Sequence, residues 1–373
     1  MKKIIYFPSE NENSNHTSVE ALFNKYLKKF FLIQIVYTGK ETKKIKDGNL
    51  VIKKSKRHDF IKELKGLSLD FPDFYIIRND FKVLKNILKN NKKSKVGFQS
   101  TFLHSYRRLV QAHIEKKYLL RRYIEYMFKS KEESNLLDKC DFLIPNSKMM
   151  NNIINKNKKP YTYIYSSFDF ELLTDIDKNI DKKIKFLYIG TIDKLREIDK
   201  IFEAFDEVKS KNWILDVYTK NFNEANLYKS KMKNNGKFIN IFNALDRKTL
   251  YKTMHNYDVG ISLIPINDLY TVASPIKLTE YFACKLAVIT TAIPEAVDLY
   301  SNTNSAFFVH FDTPSIVKTI KNILSMKKSQ LQEMGQNGYD IVKEKRNYEI
   351  NAKYISNFLY SLCKEYKSKN IIQ

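Results

Sequence analysis

Residues 274–291 read Ser-Pro-Ile-Lys-Leu-Thr-Glu-Tyr-Phe-Ala-Cys-Lys-Leu-Ala-Val-Ile-Thr-Thr, or SPIKLTEYFACKLAVITT. Ser274 is a preferred helix-capping residue. Pro275 suits a first helical position, because its φ is fixed and its missing N–H is one the helix would leave unbonded. A helix is therefore expected to begin at Pro275 and to give way to the short apolar run that ends the stretch. Its free first-turn N–H groups and positive dipole end form an anion site, and Lys277 adds a full charge at the same place. Glu280 lies three residues on, so it shares a face with Lys277. Diphosphate at the helix start and ribose hydroxyls on the carboxylate would together describe a nucleotide. The competing reading is an ordinary capped helix with a Lys–Glu pair.

Outward from this stretch, short apolar runs alternate with amphipathic segments. KKIIYF, FFLIQIVYT, DFYIIR, KVGFQS and DFLIPNS occupy the first half; KIKFLYIG, WILDVYT, FINIFNAL, DVGISLIP, LAVITT and AFFVH occupy the second. Strands alternating with helices such as SVEALFNKYLKKF imply parallel sheets covered on both faces. The strand DVGISLIP ends just before the quoted stretch, so the expected anion site lies at a strand's carboxyl end, where open α/β sheets bind ligands. KFLYIGTIDKLREIDKIFEAF adds a second strand, Gly190, a short loop and a helix, the order of a phosphate-facing turn.

A chain of 373 residues fits two domains better than one. Residues 155–183 lose periodicity and read as the linker. The expected division is an N-terminal domain at 1–168, a second domain at 169–348, and an amphipathic C-terminal helix at 349–373 whose docking partner is not legible. No internal repeat is visible at periods of 20 to 50 residues.

The formal charge is +24, and counting Lys and Arg against Asp and Glu puts about +18 of it within residues 1–170. That asymmetry points to a polyanionic partner for the first half, anionic lipid or nucleic acid, although a Lys- and Asn-rich composition also gives solvated runs such as NNKKSK. In YLLRRYIEYMFKSKEESNLLDKCDFLIPNS, Tyr118, Tyr123, Tyr126 and Phe128 interleave with Arg121, Arg122, Lys129 and Lys131. Such aromatics either pack in a core or face a membrane interface. No stretch is long and apolar enough to span a bilayer. The start, MKKIIYFPSENENS, is a poor signal peptide, so a cytoplasmic location is expected. Cys140, Cys284 and Cys363 are odd in number and lack metal-ligand spacing, which argues against a disulfide framework or zinc site.

Taken together, KFLYIGTIDKLREIDKIFEAF, LYKTMHNYDVGISLIP, SPIKLTEYFACKLAVITT and the linker's YSSFD resemble the donor-binding half of GT-B glycosyltransferases, particularly the retaining, family-4-like enzymes. The likeness covers about residues 160–300. In the first half only KKYLLRRYIEYMFKSKEESNLLDKCDFLIPNSKMM is similar. The resemblance implies an α/β protein of GT-B fold, with two Rossmann-like doubly wound domains facing across a cleft. It implies that Glu280 holds the ribose, that Gly190, Thr191, Ser274, Pro275, Ile276 and Lys277 form the diphosphate end, and that Arg196 neutralises the departing phosphates, with no metal or other cofactor required. Three departures accompany it. Thr191 stands where an Arg is usual, Val272 where the first of two paired Glu residues is usual, and Lys285 with Ala287 where Gly and Pro are usual.

In the first half, Asn15, His16 and Ser18 lie in PSENENSNHTS, where relatives carry a Gly-rich loop. His104, with Arg107 and Arg108 following, lies in the region where relatives place a cleft-facing His. The expectation is that His104, Arg196 and Lys277 are catalytic and that Asn15, His16, Arg107 and Arg108 face the acceptor. His16 reads equally as a helix-cap residue, His104 as a surface one. His58, His113, His255 and His310 have no comparable context, and no metal site is expected. The implied activity moves a sugar from a nucleotide-sugar to a glycan or lipid-linked acceptor in bacterial surface polysaccharide or glycolipid assembly, with peripheral attachment to the inner face of the plasma membrane and no nucleic-acid partner. The rivals are an inactive glycan- or nucleotide-sugar-binding relative, a nucleotide-sugar epimerase of the same architecture, and a nucleic-acid-binding protein. The epimerase leaves the charge unexplained, and the last lacks any recognition motif.

Overall fold

The computed structural model describes residues 1–13, 16–45, 48–53, 71–91, 93–173 and 182–369. The chain divides into two compact units, one of residues 1–165 with 348–373 and one of residues 166–347.

The first unit holds β1 (Lys3–Phe7), β2 (Leu32–Gly39), β3 (Lys43–Lys44), β4 (Leu50–Lys53), β5 (Phe74–Arg78), β6 (Lys95–Ser100) and β7 (Phe142–Pro145). Their order in the sheet is β3-β4-β2-β1-β5-β6-β7, parallel throughout except for β3 against β4. Ile4 and Tyr6 enter one core, Ile5 and Phe7 the other, and Phe74 with Ile76 and Tyr75 with Ile77 divide the same way. Ile4–Phe7 and Phe74–Ile77 are apolar without a break because both faces are covered. One face is covered by α1 (Phe81–Asn90) and the end of α3 (Leu119–Leu137), which follows α2 (His104–Glu115); α4 (Lys148–Ile154) comes after β7. The other is covered by Ser18–Tyr26, a π-helical segment whose wide turn shows in the Leu27 N–H bonding the Leu22 carbonyl five residues back.

The second unit alternates β8 (Ile184–Ile189), α5 (Asp199–Glu207), β9 (Trp213–Thr219), α6 (Phe222–Ser230), β10 (Ile239–Asn243), α7 (Arg247–Met254), β11 (Val259–Ser262), α8 (Ile276–Ala283), β12 (Ala287–Thr291), α9 (Pro294–Tyr300) and β13 (Ala306–Val309), then α10 (Thr313–Ser325) and α11 (Lys328–Lys345). Its all-parallel sheet runs β10-β9-β8-β11-β12-β13. In both sheets the third, second and first strands lie on one side of a seam and the fourth, fifth and sixth on the other, the doubly wound order, with β3 added at one edge.

The last helix, α12 (Tyr348–Lys369), belongs to the first unit. Tyr348, Ala352, Ile355, Leu359 and Leu362 recur every three or four residues and are buried in its core, and Tyr360 Oη donates to the Phe30 carbonyl at 2.9 Å. The chain thus leaves its first unit at residue 165 and returns to it at 348, where sequence places the boundaries at 168 and 348. No helix among the described residues is long and apolar enough to cross a membrane.

Helix α8 ends in a Schellman turn: the Leu286 N–H bonds the Tyr281 carbonyl at 3.1 Å and the Lys285 N–H bonds the Phe282 carbonyl at 2.9 Å. This geometry puts Lys285 at φ +59°, the left-handed region that favours glycine. The turn is pinned because the Lys285 carbonyl packs against Gly335 of α11, where a Cβ would come within 2.1 Å of it. A side chain at such a φ costs about 1 kcal/mol, against a Lys285 cation–π contact over Tyr339 at 4.8 Å that returns roughly half of that at an exposed site. Lys285→Gly is therefore expected to raise the midpoint of thermal unfolding by about 1–3 °C; an unchanged or lower midpoint would show that the turn is not strained.

Candidate functional site

The seam of the second sheet lies between β8 and β11, so the crevice for a ligand opens beyond Ile189 and Ser262. Gly190 leaves β8 at φ +136°, its N–H bonded to the Tyr218 carbonyl at 3.0 Å. A side chain here would be strained whatever the space, and its Cβ would meet Lys277 Nζ at 3.3 Å. Lys277 Nζ sits 4.1 Å from the centre of the Tyr188 ring, shut off from solvent and with no hydrogen-bond partner. Burial, and then the positive charge of Arg196, hold its pKa down to about 7, with Glu280 and Asp193 opposing. A buried ammonium with no acceptor is costly, and it lies beside a backbone turn kept free of a side chain.

The start of α8 differs from the sequence expectation. Pro275 is the N-cap, Ile276 is the first helical residue, and no side chain caps the first-turn N–H groups. Ser274 is turned away from them. Its hydroxyl accepts from the Ser166 N–H at 3.0 Å and donates to Glu295 Oε1 at 2.7 Å, and its carbonyl accepts from Ser166 Oγ. Glu295 Oε1 also accepts from Arg346 at 3.3 Å, while burial pushes the carboxyl up to about 7. The residue expected to cap the helix instead ties its entry to the linker, to α9 and to the end of α11. The helix N–H groups stay uncapped and available to an anion.

Glu280 is buried one turn after Lys277 and accepts from Tyr251 Oη at 2.8 Å; burial raises its pKa, while the Tyr251 hydroxyl and the charges of Arg247 and Lys277 oppose the rise. Arg196 bonds Asp193 through its side chain, and its N–H bonds Asp193 Oδ1 at 3.0 Å. A phosphate must therefore compete with an internal carboxylate for Arg196, a counter-charge the sequence reading left out. Thr191 is exposed, its carbonyl taken by Tyr188 Oη at 2.9 Å. Val272 is buried and apolar, so it offers no carboxylate to a sugar. Gly190, Lys277 and Arg196 thus cluster around one turn, with Glu280 beneath the same helix.

In the first unit, Asn15 lies outside the described residues. His16 Nε2 lies 3.0 Å from Arg78 Nη2 and its Nδ1 lies 2.9 Å from Ser18 Oγ. Arginine can only donate, so Nε2 is the acceptor there, and Nδ1 faces both the Ser18 hydroxyl and, at 3.3 Å, the Ser18 N–H. Arg78, buried at the end of β5, pairs with Glu10. The two residues that the sequence reading passed over therefore sit at this sheet's own seam, between β1 and β5; the only signal was a charge closing the apolar run DFYIIR. His104, the first residue of α2, packs on Phe102 and Phe81, with Nε2 buried and without a partner. Burial and the charges of Arg108 and Arg107 hold its pKa down to about 4. It lines a cavity of about 610 Å³ with Asn79, Asp80, Lys82, Ser105, Arg108 and Glu133. Arg108 pairs with Glu125 at 3.5 Å, and Arg107 lies over the Phe102 ring at 5.4 Å. Among the described residues, no group of three or more His, Cys, Asp or Glu is placed to hold a metal ion.

Solved structures share this architecture along the whole chain. The sucrose-phosphate synthase of Thermosynechococcus elongatus superposes with a TM-score of 0.75 at 12% identity, over 98% of this chain and 100% of that one. The E. coli trehalose-6-phosphate structure bound with UDP-2-fluoro glucose gives 0.70 at 12%, over 96% and 99%. The UDP-forming α,α-trehalose-phosphate synthase of Burkholderia xenovorans in complex with glucose-6-phosphate gives 0.67 at 11%, over 96% and 100%. No curated protein matches by sequence. The fold is that of the GT-B glycosyltransferases. Residues 171–341 match the family model described as glycosyl transferases group 1.

The Ser274 contacts carry a test. Ser274→Ala removes the acceptor of one N–H and the donor to a buried carboxyl, which is expected to lower stability by about 1–3 kcal/mol, read as a shifted midpoint in urea unfolding. A change within about 0.3 kcal/mol would mean that the tie between α8 and α9 is incidental.

Proposed function

We propose that the protein transfers a glycosyl group from a nucleotide-sugar held by its second unit, with retention of anomeric configuration and without a metal, to a glycan or lipid-linked acceptor on its first unit, in the assembly of a bacterial surface polysaccharide or glycolipid. The observation that carries the donor half is the Lys277 ammonium, buried, unpartnered and directed at Gly190 beside an uncapped helix start. A diphosphate at that point accepts from the helix N–H groups and supplies the counter-charge Lys277 lacks. Arg196, released from Asp193, meets the charge that develops on the leaving phosphate. Glu280, kept in place by Tyr251, accepts from the ribose hydroxyls. His104, neutral in its apolar setting, faces the acceptor side with a free ring nitrogen. Retention and the lipid-linked acceptor are inferred from the family likeness and the basic first half.

Calorimetric titration with UDP, GDP, CDP and their sugar conjugates tests the donor half. One of them is expected to bind at micromolar Kd, and Glu280→Ala to weaken it about tenfold or more, the loss of a hydrogen bond to a charged group. Failure of all three to bind the folded protein would remove the donor assignment.

Lys277 adds a pH signature. Its pKa lies near 7 in the free protein, and a bound diphosphate raises it, so binding takes up a proton above that pH. Affinity is expected to be level just below pH 7 and to fall by up to tenfold per pH unit above it; Lys277→Met should flatten the profile. Equal slopes in wild type and variant would take Lys277 out of the phosphate site.

A further inference from the structure

Helix α3 is amphipathic with its apolar side outward. Leu120, Tyr123, Ile124, Met127 and Phe128 recur at the spacing of a single helical face, yet each is between 48% and 75% exposed. That spacing ordinarily marks the buried side of a helix, and here only Leu136 and Leu137, at the far end, are buried. The stripe covers about 12 Å of helix, and the turn from α2 extends it with the exposed Tyr118 and Leu119.

The rim of the stripe is basic. Lys116, Lys117 and Arg121 are exposed and form no ion pair among the described residues. Glu125, within the span of the stripe, is already shared by Arg108, Arg122 and Lys129. An exposed apolar stripe edged by unpaired cations matches a surface that is apolar within and anionic at its boundary, and a bilayer bearing anionic headgroups has that profile. A second copy of the chain fits less well, since stripe-to-stripe pairing would bring the two basic rims together without counter-charges.

We propose that the α2–α3 hairpin is a membrane-docking element that lays the stripe formed by Leu120 to Phe128 into the headgroup region of an anionic bilayer, with Lys116, Lys117 and Arg121 on the phosphates. The proposal deepens the acceptor half of the proposed function, resting on it for the lipid-borne acceptor, but the docking is measured without any sugar transfer.

The test uses the full chain. Co-sedimentation with vesicles of phosphatidylcholine and phosphatidylglycerol at 7:3 is compared with phosphatidylcholine alone. Binding to the mixed vesicles is expected to be at least tenfold stronger and to fall as salt rises. The variant Leu120→Asp with Phe128→Asp, both at exposed positions, should lose at least tenfold of that binding. Its nucleotide binding at the second unit should stay unchanged, which separates failure of this proposal from failure of the donor assignment. A Phe128→Trp variant reports insertion directly: the native Trp213 is fully buried in the second unit, so a blue shift on adding mixed vesicles belongs to position 128. Equal binding to both vesicle types, full binding by the double Asp variant, or binding without the Trp shift would each overturn the proposal. So would loss of self-association in the double variant when wild type binds no vesicles, which would make the stripe an interface between copies.

Discussion

A parallel sheet that is wound outward in both directions from one seam leaves a crevice there, because the helices on either side of the seam cover opposite faces. Everything assembled at the candidate donor site follows from that constraint. The β8–β11 seam fixes where the chain must turn out of β8, and only a residue without a side chain lets Lys277 approach that turn. Helix α8, entering beside the seam, is held at one end by the Ser166, Ser274 and Glu295 contacts and at the other by the Schellman turn against α11. Its buried Tyr281 hydroxyl accepts from the Ile189 N–H at 2.9 Å, which couples helix and strand directly. The helix that carries Lys277 and Glu280 is therefore held in place by contacts inside the unit, the condition under which electrostatic stabilisation by those two residues needs little reorganisation.

Two buried charges near α8 are treated differently. Glu295 has a cation and a hydroxyl on one oxygen, so its desolvation is partly offset inside the fold. Lys277 has an aromatic ring and no acceptor. A cation–π contact returns about 2 kcal/mol when desolvated, whereas the penalty for burying an ion is several kcal/mol even after relaxation; the difference remains as strain that an anion would relieve. Arg196 is the intermediate case, already neutralised by Asp193 but only partly covered. Lys277 is poised for a ligand's charge, and Arg196 must exchange one carboxylate for another anion.

The architecture was largely legible because strands buried on both faces carry apolar runs with little interruption. KIIYF, FYIIR and AVITT could be read as strands whatever surrounded them, and their alternation with helices gave the parallel sheets. The short strands Lys43–Lys44, at the edge, and Leu50–Lys53, beside it, escaped because Lys-rich flanks dilute so brief a run. The docking of α12 escaped because an apolar stripe states that a helix is buried and not against what. At the site, residue types and spacing placed Lys277 and Glu280 on one face, and the family resemblance added Gly190, but Ser274 showed the limit of local rules. A serine before a proline reads as a cap, and only the long-range partners Ser166 and Glu295 reveal that its hydroxyl is engaged elsewhere. Asp193 and Glu10 were missed for the same reason, since a carboxylate's partner is a fact of three dimensions.

The two seams also differ in how they hold charge, and that difference bears on the chain's surplus of cations. At the β1–β5 seam, Arg78 is buried but matched by Glu10 and occupied by the His16 ring, so little net positive charge reaches the interior. Cations such as Lys116, Lys117 and Arg121 are exposed instead, where solvation makes each one cheap and salt screens it. A chain that keeps its buried cation matched at one seam and unmatched at the other separates two tasks: at the β8–β11 seam a single desolvated charge can select one small anion, while the solvated cations of the first half can act together only on a partner wide enough to meet many of them at once.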